Sequence, residues 1–169
     1  MEINQLINYF SSYGMIFVFI IVFLEYLNLP GLPAGIILPL IGVLSSKGEG
    51  NLALVLIISV IAGAIGSWGL YCVGWFGGDF ILNKYTNKFP KHKTYIDKSI
   101  NVLKEKGNIG VFISMLIPML RTMISVPAGV LKLNFIQYSI YSTLGIILWN
   151  SSLILSGYFF GDAVFKILA

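Results

Sequence analysis

Two ionisable side chains stand within apolar stretches of this chain: Glu25 in "FLEYLNLPG" and Arg121 in "LIPMLRTMISVP". In hydrocarbon a charged side chain costs roughly 2.5–3.5 kcal/mol on insertion scales, so one is retained for a partner, a substrate or a proton. The guanidinium of Arg121 is always charged, and its planar fork matches a phosphate bidentately. Glu25, held out of water, is a candidate carrier of a coupling proton, because desolvation penalises the charged form of a carboxyl. A plainer reading stands beside this one, in which the two pair with each other or snorkel to an interface and do nothing else. Both sit beside helix breakers. Pro30, Pro33, Gly35 and Pro39 follow Glu25, while Pro118, Pro127 and Gly129 flank Arg121. A proline in a membrane helix removes a donor and frees a carbonyl, which survives only where protein or a watery cavity covers it. The amides freed near Pro118 and Pro127 are therefore candidate phosphate donors beside Arg121.

The elements that position these groups follow from composition. Of 169 residues 57% are hydrophobic and 11% charged, with a mean hydropathy of +0.86, which describes a protein dissolved in lipid. At ~20 residues per span the whole chain, 1–169, reads as one all-α polytopic membrane domain. The N-terminus has no cationic region and no small-residue cleavage site, so no removable signal peptide is expected. Cys72 is the only cysteine and lies in an apolar run, which excludes an intrachain disulfide and a multi-cysteine metal site. His92 is the only histidine and sits among lysines. This inventory is too thin for an enzyme acting on lipid phosphates and implies neither metal nor cofactor. Nucleic-acid binding is not indicated, since the lysines have a sufficient topological reason.

Residues 13–29 read as a first span, 30–45 as an apolar stretch broken by prolines, and 51–76 as a full span. Residues 77–108 then hold seven of the eleven cationic residues, Lys84, Lys88, Lys91, Lys93, Lys98, Lys104 and Lys106, which places this segment in the cytoplasm. Within it Ile96, Ile100 and Leu103 recur at helical spacing. Residues 93–106 thus form either an amphipathic helix on the inner leaflet or a solvated loop. The order then repeats, with broken residues 109–131 and a span over 135–160. Pro-Ala-Gly occurs in both broken stretches, at Pro33 to Gly35 and Pro127 to Gly129. The expectation is an inverted repeat, with repeat 1 over 13–76 and repeat 2 over 109–160. Its two Pro-broken re-entrant hairpins meet near the midplane, beside full transmembrane spans. Ala62 with Gly66 and Gly63 with Ser67 form small-residue pairs that admit a close neighbour, from the same chain or from a second copy in a homodimer.

"FLEYLNLPGLPAGIILPLIGVL", "GAIGSWGLYCVGWFGG" and "LIPMLRTMISVPAGVLKLNFIQY", followed by "LGIILWN" and "GYFFG", resemble the DedA family. This is the bacterial branch of the SNARE-associated, VTT-domain membrane proteins, and the resemblance covers residues 23–161. It implies two re-entrant hairpins of inverted topology in the bacterial cytoplasmic membrane. It also implies translocation of a phosphate-bearing lipid, such as undecaprenyl phosphate or phosphatidylethanolamine, in some members driven by an ion gradient. The family's required acid and arginine match Glu25 and Arg121. Three positions depart: a second acid usually stands at Gly35, a second arginine at Met115, and an arginine commonly at Trp75. Many relatives also continue into a further span beyond "GYFFG", whereas this chain stops at Ala169, and the expectation is a C-terminus outside or a partner that completes the fold. A lipid flippase is the function this implies, with a non-transporting scaffold or regulator of membrane homeostasis as the alternative that Gly35 and Met115 leave open.

Overall fold

The computed structural model describes residues 3–27, 34–47, 51–88, 90–121 and 123–168, so Pro30 and Pro33 lie outside the described residues. The described elements are all helical: α1 (Ile3–Tyr26), α2 (Ala34–Ser46), α3 (Leu52–Lys88), α4 (Pro90–Met115), α5 (Pro118–Arg121), α6 (Ser125–Val130) and α7 (Phe135–Leu168). Two stretches are long and apolar enough to cross a membrane, Leu52–Gly78 in α3 and Phe135–Gly161 in α7. Each is 27 residues, about 40 Å at 1.5 Å per residue, against a hydrocarbon core of about 30 Å. Both start with the same device. Asn51 Oδ1 accepts from the amides of Ala53 (2.9 Å) and Leu54 (3.4 Å), and Asn134 Oδ1 from those of Ile136 (3.0 Å) and Gln137 (3.1 Å). Each asparagine satisfies amides that the first helical turn leaves without partners.

The expected span over 13–29 is not formed as a full crossing. The chain turns sharply at Gly14 (φ 51°, ψ −122°), a region closed to residues with a Cβ, and the helix ends at Tyr26. The apolar remainder, Gly14–Tyr26, and α2 are each roughly 20 Å long, too short to cross alone. Pro39 does not break α2; it sits inside the helix, where it leaves only the carbonyl of exposed Gly35 without its usual partner. In the second half the chain does break. It turns at Gly107 (φ 54°, ψ −131°), and α4 ends at Met115 with short turns closed by the amides of Leu116 onto the Ile113 carbonyl and Ile117 onto that of Ser114 (both 3.1 Å). Pro118 opens α5, where its missing N–H costs nothing, and Pro127 falls in the first turn of α6 for the same reason. The α6 helix closes with paired bonds from Lys132 N to Gly129 O (2.9 Å) and from Leu133 N to Ala128 O (3.1 Å).

The amphipathic segment is helical, as one of the two readings expects, but its apolar face does not lie on lipid. Ile96 is buried against Met123, with Ile100, Val126 and Val130 packed around them, and Leu103 joins the main core. Lys98, Lys104 and Lys106 occupy the exposed side. The helix clamps α6 because that neighbour offers an apolar surface already fixed in place. Elsewhere the distribution is that of a protein in lipid. Ile57, Ile61 and Ile65 of α3 and Ile136, Ile140 and Leu148 of α7 face outward, while Ser59, Ser67, Ser142 and Asn150 are buried.

The two halves pack crosswise, α2 on α7 and α6 on α3. A Cβ on Gly42 would land on the Ile154 carbonyl and close to the amide of Tyr158; one on Gly129 would land on the Tyr71 carbonyl and close to the amide of Trp75. Conversely, Gly157 meets the backbone of Pro39 and Gly74 that of Val126. One constant shift along the chain relates Asn51, Tyr71, Gly74 and Trp75 to Asn134, Ile154, Gly157 and Tyr158, and another relates Pro39 and Gly42 to Val126 and Gly129. The Pro-Ala-Gly match expected from sequence is therefore out of register. Packing equates Gly129 with Gly42 and not with Gly35, about two helical turns away. The small residues of α3 serve this chain itself, Gly63 and Gly66 lying against Tyr26.

Gly42→Ala and Gly129→Ala are expected each to cost about 1–3 kcal/mol by overpacking a backbone contact, whereas Gly35→Ala, with nothing within 4 Å, leaves stability unchanged. Thermal unfolding of the purified variants in detergent checks this.

Candidate functional site

The short arm of α1 ends with Glu25 and Tyr26 facing inward, and the broken segment after α4 delivers Arg121 to the same place. Glu25 and Arg121 are 3% and 2% exposed and form a direct ion pair, Arg121 Nη2 donating to Glu25 Oε1. The plainer reading of the sequence is thus realised in its first part: the two charges pair, though at a site where other polar groups converge. Arg121 Nη1 reaches the Tyr26 hydroxyl at 3.4 Å. Tyr26 in turn donates to Asn150 Oδ1 (2.9 Å), and Asn150 Nδ2 donates to the Ser59 carbonyl (3.2 Å). The guanidinium carbon lies 5.1 Å from the centre of the Tyr26 ring and 5.2 Å from that of Trp149. Flat cations are held well against such rings away from water.

One chain of contacts therefore links α1, α3, α5 and α7. Neither Tyr26 nor Asn150 is evident as a site residue in the sequence. The available signal is an uncharged polar side chain, Asn150, in the middle of a stretch otherwise apolar enough to span. Two buried atoms beside the pair have no partner among the described residues: Glu25 Oε2, an acceptor, and Trp149 Nε1, a donor. A second polar node lies on the same broken segment, where the Tyr138 hydroxyl reaches Ser125 Oγ at 2.8 Å and the Ser67 carbonyl at 3.2 Å. Tyr71 stacks on Tyr138 with ring centres 4.6 Å apart and donates to the Leu133 carbonyl.

The other residues expected at a phosphate site stand differently. Several amides around Pro118 and Pro127 have backbone partners: those of Leu120 and Arg121 donate to the Ile117 carbonyl, those of Met123 and Ile124 to that of Leu120, and that of Ala128 to Ile124 O. Gly129 is occupied by its contact with α3. What this segment offers at the pair is the Arg121 side chain. Met115 is buried in the main core beside Gly145, and Gly35 is exposed, where a Cβ would meet none of the described residues within 4 Å. Trp75 carries Lys132 Nζ 6.0 Å from its ring centre. Among the described residues no group of three or more His, Cys, Asp or Glu could hold a metal ion.

Removing one member of a buried ion pair leaves the other uncompensated in apolar surroundings, at a cost of about 3–5 kcal/mol. Arg121→Met is therefore expected to lower the thermal unfolding temperature sharply, and adding Glu25→Gln to recover much of the loss. A double-mutant cycle measured by unfolding in detergent checks the coupling.

Residues 32–159 match the model of the VTT domain. Among curated proteins the chain is similar to YkoX, a membrane protein of Bacillus subtilis, at 34% identity over 116 residues. That alignment covers 69% of this chain and 52% of YkoX, so the chain spans about half the length of that relative. It is similar to undecaprenyl phosphate transporter A of Staphylococcus aureus at 32% identity over 165 residues, covering 95% of this chain and 81% of the transporter. It is also similar to the inner membrane protein YqjA of Escherichia coli, at 28% identity over 156 residues, covering 89% of this chain and 70% of that protein. No solved structure matches.

Proposed function

The chain belongs to the VTT-domain (DedA) family of membrane proteins, and from that premise we propose that it is a flippase moving a phosphate-bearing lipid across the bacterial cytoplasmic membrane. The observation that carries this reading is the buried Glu25–Arg121 pair, set where the interrupted segments of both halves of the chain converge. Structural ion pairs alone are a weak source of stability, because the desolvation they require offsets their attraction. A pair retained in lipid, with partnerless polar atoms beside it, is better suited to exchanging partners. Arg121 is the phosphate ligand in this reading and Glu25 the proton carrier. The name of the S. aureus relative favours undecaprenyl phosphate as cargo, with phosphatidylethanolamine as the competing lipid.

The architecture supporting the mechanism is an inverted repeat. Gly14–Tyr26 with α2 forms one re-entrant hairpin, including Pro39. The break after α4 with α5 and α6, including Pro118 and Pro127, forms the other. The crosswise glycine contacts, each hairpin on the span of the opposite half, support this arrangement. With the basic residues of α4 in the cytoplasm, the first hairpin opens outward and the second inward, so a site between them is reached from either side in turn. The lipid tail stays in the bilayer while the head group crosses. A scaffold without transport is the second reading, favoured by buried Met115 in place of an arginine.

In proteoliposomes of this protein, outer-leaflet loss of undecaprenyl phosphate is expected to outpace that of labelled phosphatidylethanolamine. It should fall at least tenfold with Arg121→Lys, which keeps the charge but loses the bidentate fork. If neither lipid moves with correctly folded and inserted protein, the scaffold reading replaces the flippase.

A further inference from the structure

Resting on the flippase reading, we infer that Glu25 occupies the phosphate site as an internal competitor, so that a lipid phosphate binds Arg121 only in exchange for the Glu25 carboxylate. Arg121 gives Nη2 to Glu25 and Nη1 to Tyr26, at 3.4 Å, with its flat face against the Tyr26 and Trp149 rings. A phosphate held through Nη2 therefore meets the Glu25 carboxylate already there. The carboxylate uses only Oε1 in this pair, while Oε2 is buried without a partner among the described residues, and so is Trp149 Nε1, a donor on the ring that flanks the guanidinium. A buried acceptor and a buried donor left open cost about 1–3 kcal/mol each. Both are relieved by one exchange. A proton from the aqueous side binds the Glu25 carboxylate, its ion pair with Arg121 opens, and a phosphate oxygen takes the vacated fork with Trp149 Nε1 as a further donor.

Charge accounting fixes the class of ligand. The resting site holds one positive and one negative charge. After exchange it holds Arg121, neutral Glu25 and the ligand, and stays neutral only if the ligand carries one negative charge. The fitting ligand is a singly charged phosphate amphiphile, a phosphodiester or a phosphomonoester retaining one proton, and one proton enters the site with each lipid. Among the described residues the ionisable groups around Glu25 are Arg121 of α5 and Tyr26 beside it in α1. The hydrogen-bonded groups that α3 and α7 add to this network, the Ser59 carbonyl and Asn150, are uncharged, as is the Trp149 ring against the guanidinium.

The test titrates the purified chain, in a sugar-based detergent free of phosphate, with didecyl phosphate, whose single charge is constant between pH 6 and 8. Dodecyl phosphate serves as the monoester arm, and calorimetry gives the affinity. The expected result is that the native chain binds more tightly as the pH is lowered. At pH 8 Glu25→Gln should bind didecyl phosphate about tenfold tighter than native, as when a tenth of the molecules are competent, and its affinity for that diester should not change with pH. Arg121→Lys should weaken binding of both amphiphiles. Native affinity that does not vary with pH, or Glu25→Gln binding no tighter than native, overturns the competition; Arg121-dependent binding then leaves the flippase reading standing. If folded native protein and Glu25→Gln bind neither amphiphile at any pH, both the competition and the phosphate site fail. The native pH series needs no substitution, so a poorly folding variant does not prevent a decision.

Discussion

Keeping one carboxylate and one guanidinium out of water is the constraint around which this molecule is arranged. Neither Glu25 nor Arg121 can be buried alone, and they lie far apart in sequence, so the fold has to bring the end of α1 to the break after α4. Doing so needs two interrupted elements. The turn at Gly107 and the short turns before Pro118 shorten the second element so that its side chain arrives at the pair.

The interruptions are tolerable because close packing supplies what hydrocarbon cannot. Helices in a bilayer gain little from apolar contact alone, since lipid offers the same contact, and must approach closely to gain from dispersion. Gly42 and Gly157 let α2 lie against the backbone of α7, and Gly74 with Gly129 do the same for α6 and α3. The polar side chains then find partners between helices, with Asn150 tying α1 to α3 through Tyr26 and the Ser59 carbonyl. The pair is thus held by groups from both halves of the chain. A movement of one half against the other changes the surroundings of Glu25 and Arg121 together, which suits a site that exchanges partners.

The exposed face of α4 shows how the membrane boundary is managed. Lys98, Lys104 and Lys106 remain on its outer side while Ile96 and Leu103 pack the helix onto the body, so this positive charge is attached to the segment that leads to Arg121.

Local chemistry is legible in the sequence by itself: the lipid solvent from composition, the spans read at 51–76 and 135–160 from unbroken apolar runs, and Glu25 and Arg121 from the cost of charge in hydrocarbon, while the period over 93–106 left a helix and a solvated loop both open. What needed the tertiary structure is every relation between distant segments. Pro39 stays helical and Pro127 falls in a first turn, because a proline's effect depends on where the helix around it begins. The first span shortens to an arm because Gly14 turns the chain, and composition does not distinguish a turning glycine from a packing one. The Pro-Ala-Gly match does not coincide with the packing, which sets Gly129 against α3 as it sets Gly42 against α7, since three small residues recur easily whereas a backbone contact admits only one alignment. Lipid-facing and protein-facing residues are equally apolar, so hydropathy marks a helix as membrane-borne without saying which face meets a neighbour. That choice, and with it the meeting of Glu25 with Arg121, is made only when the helices pack.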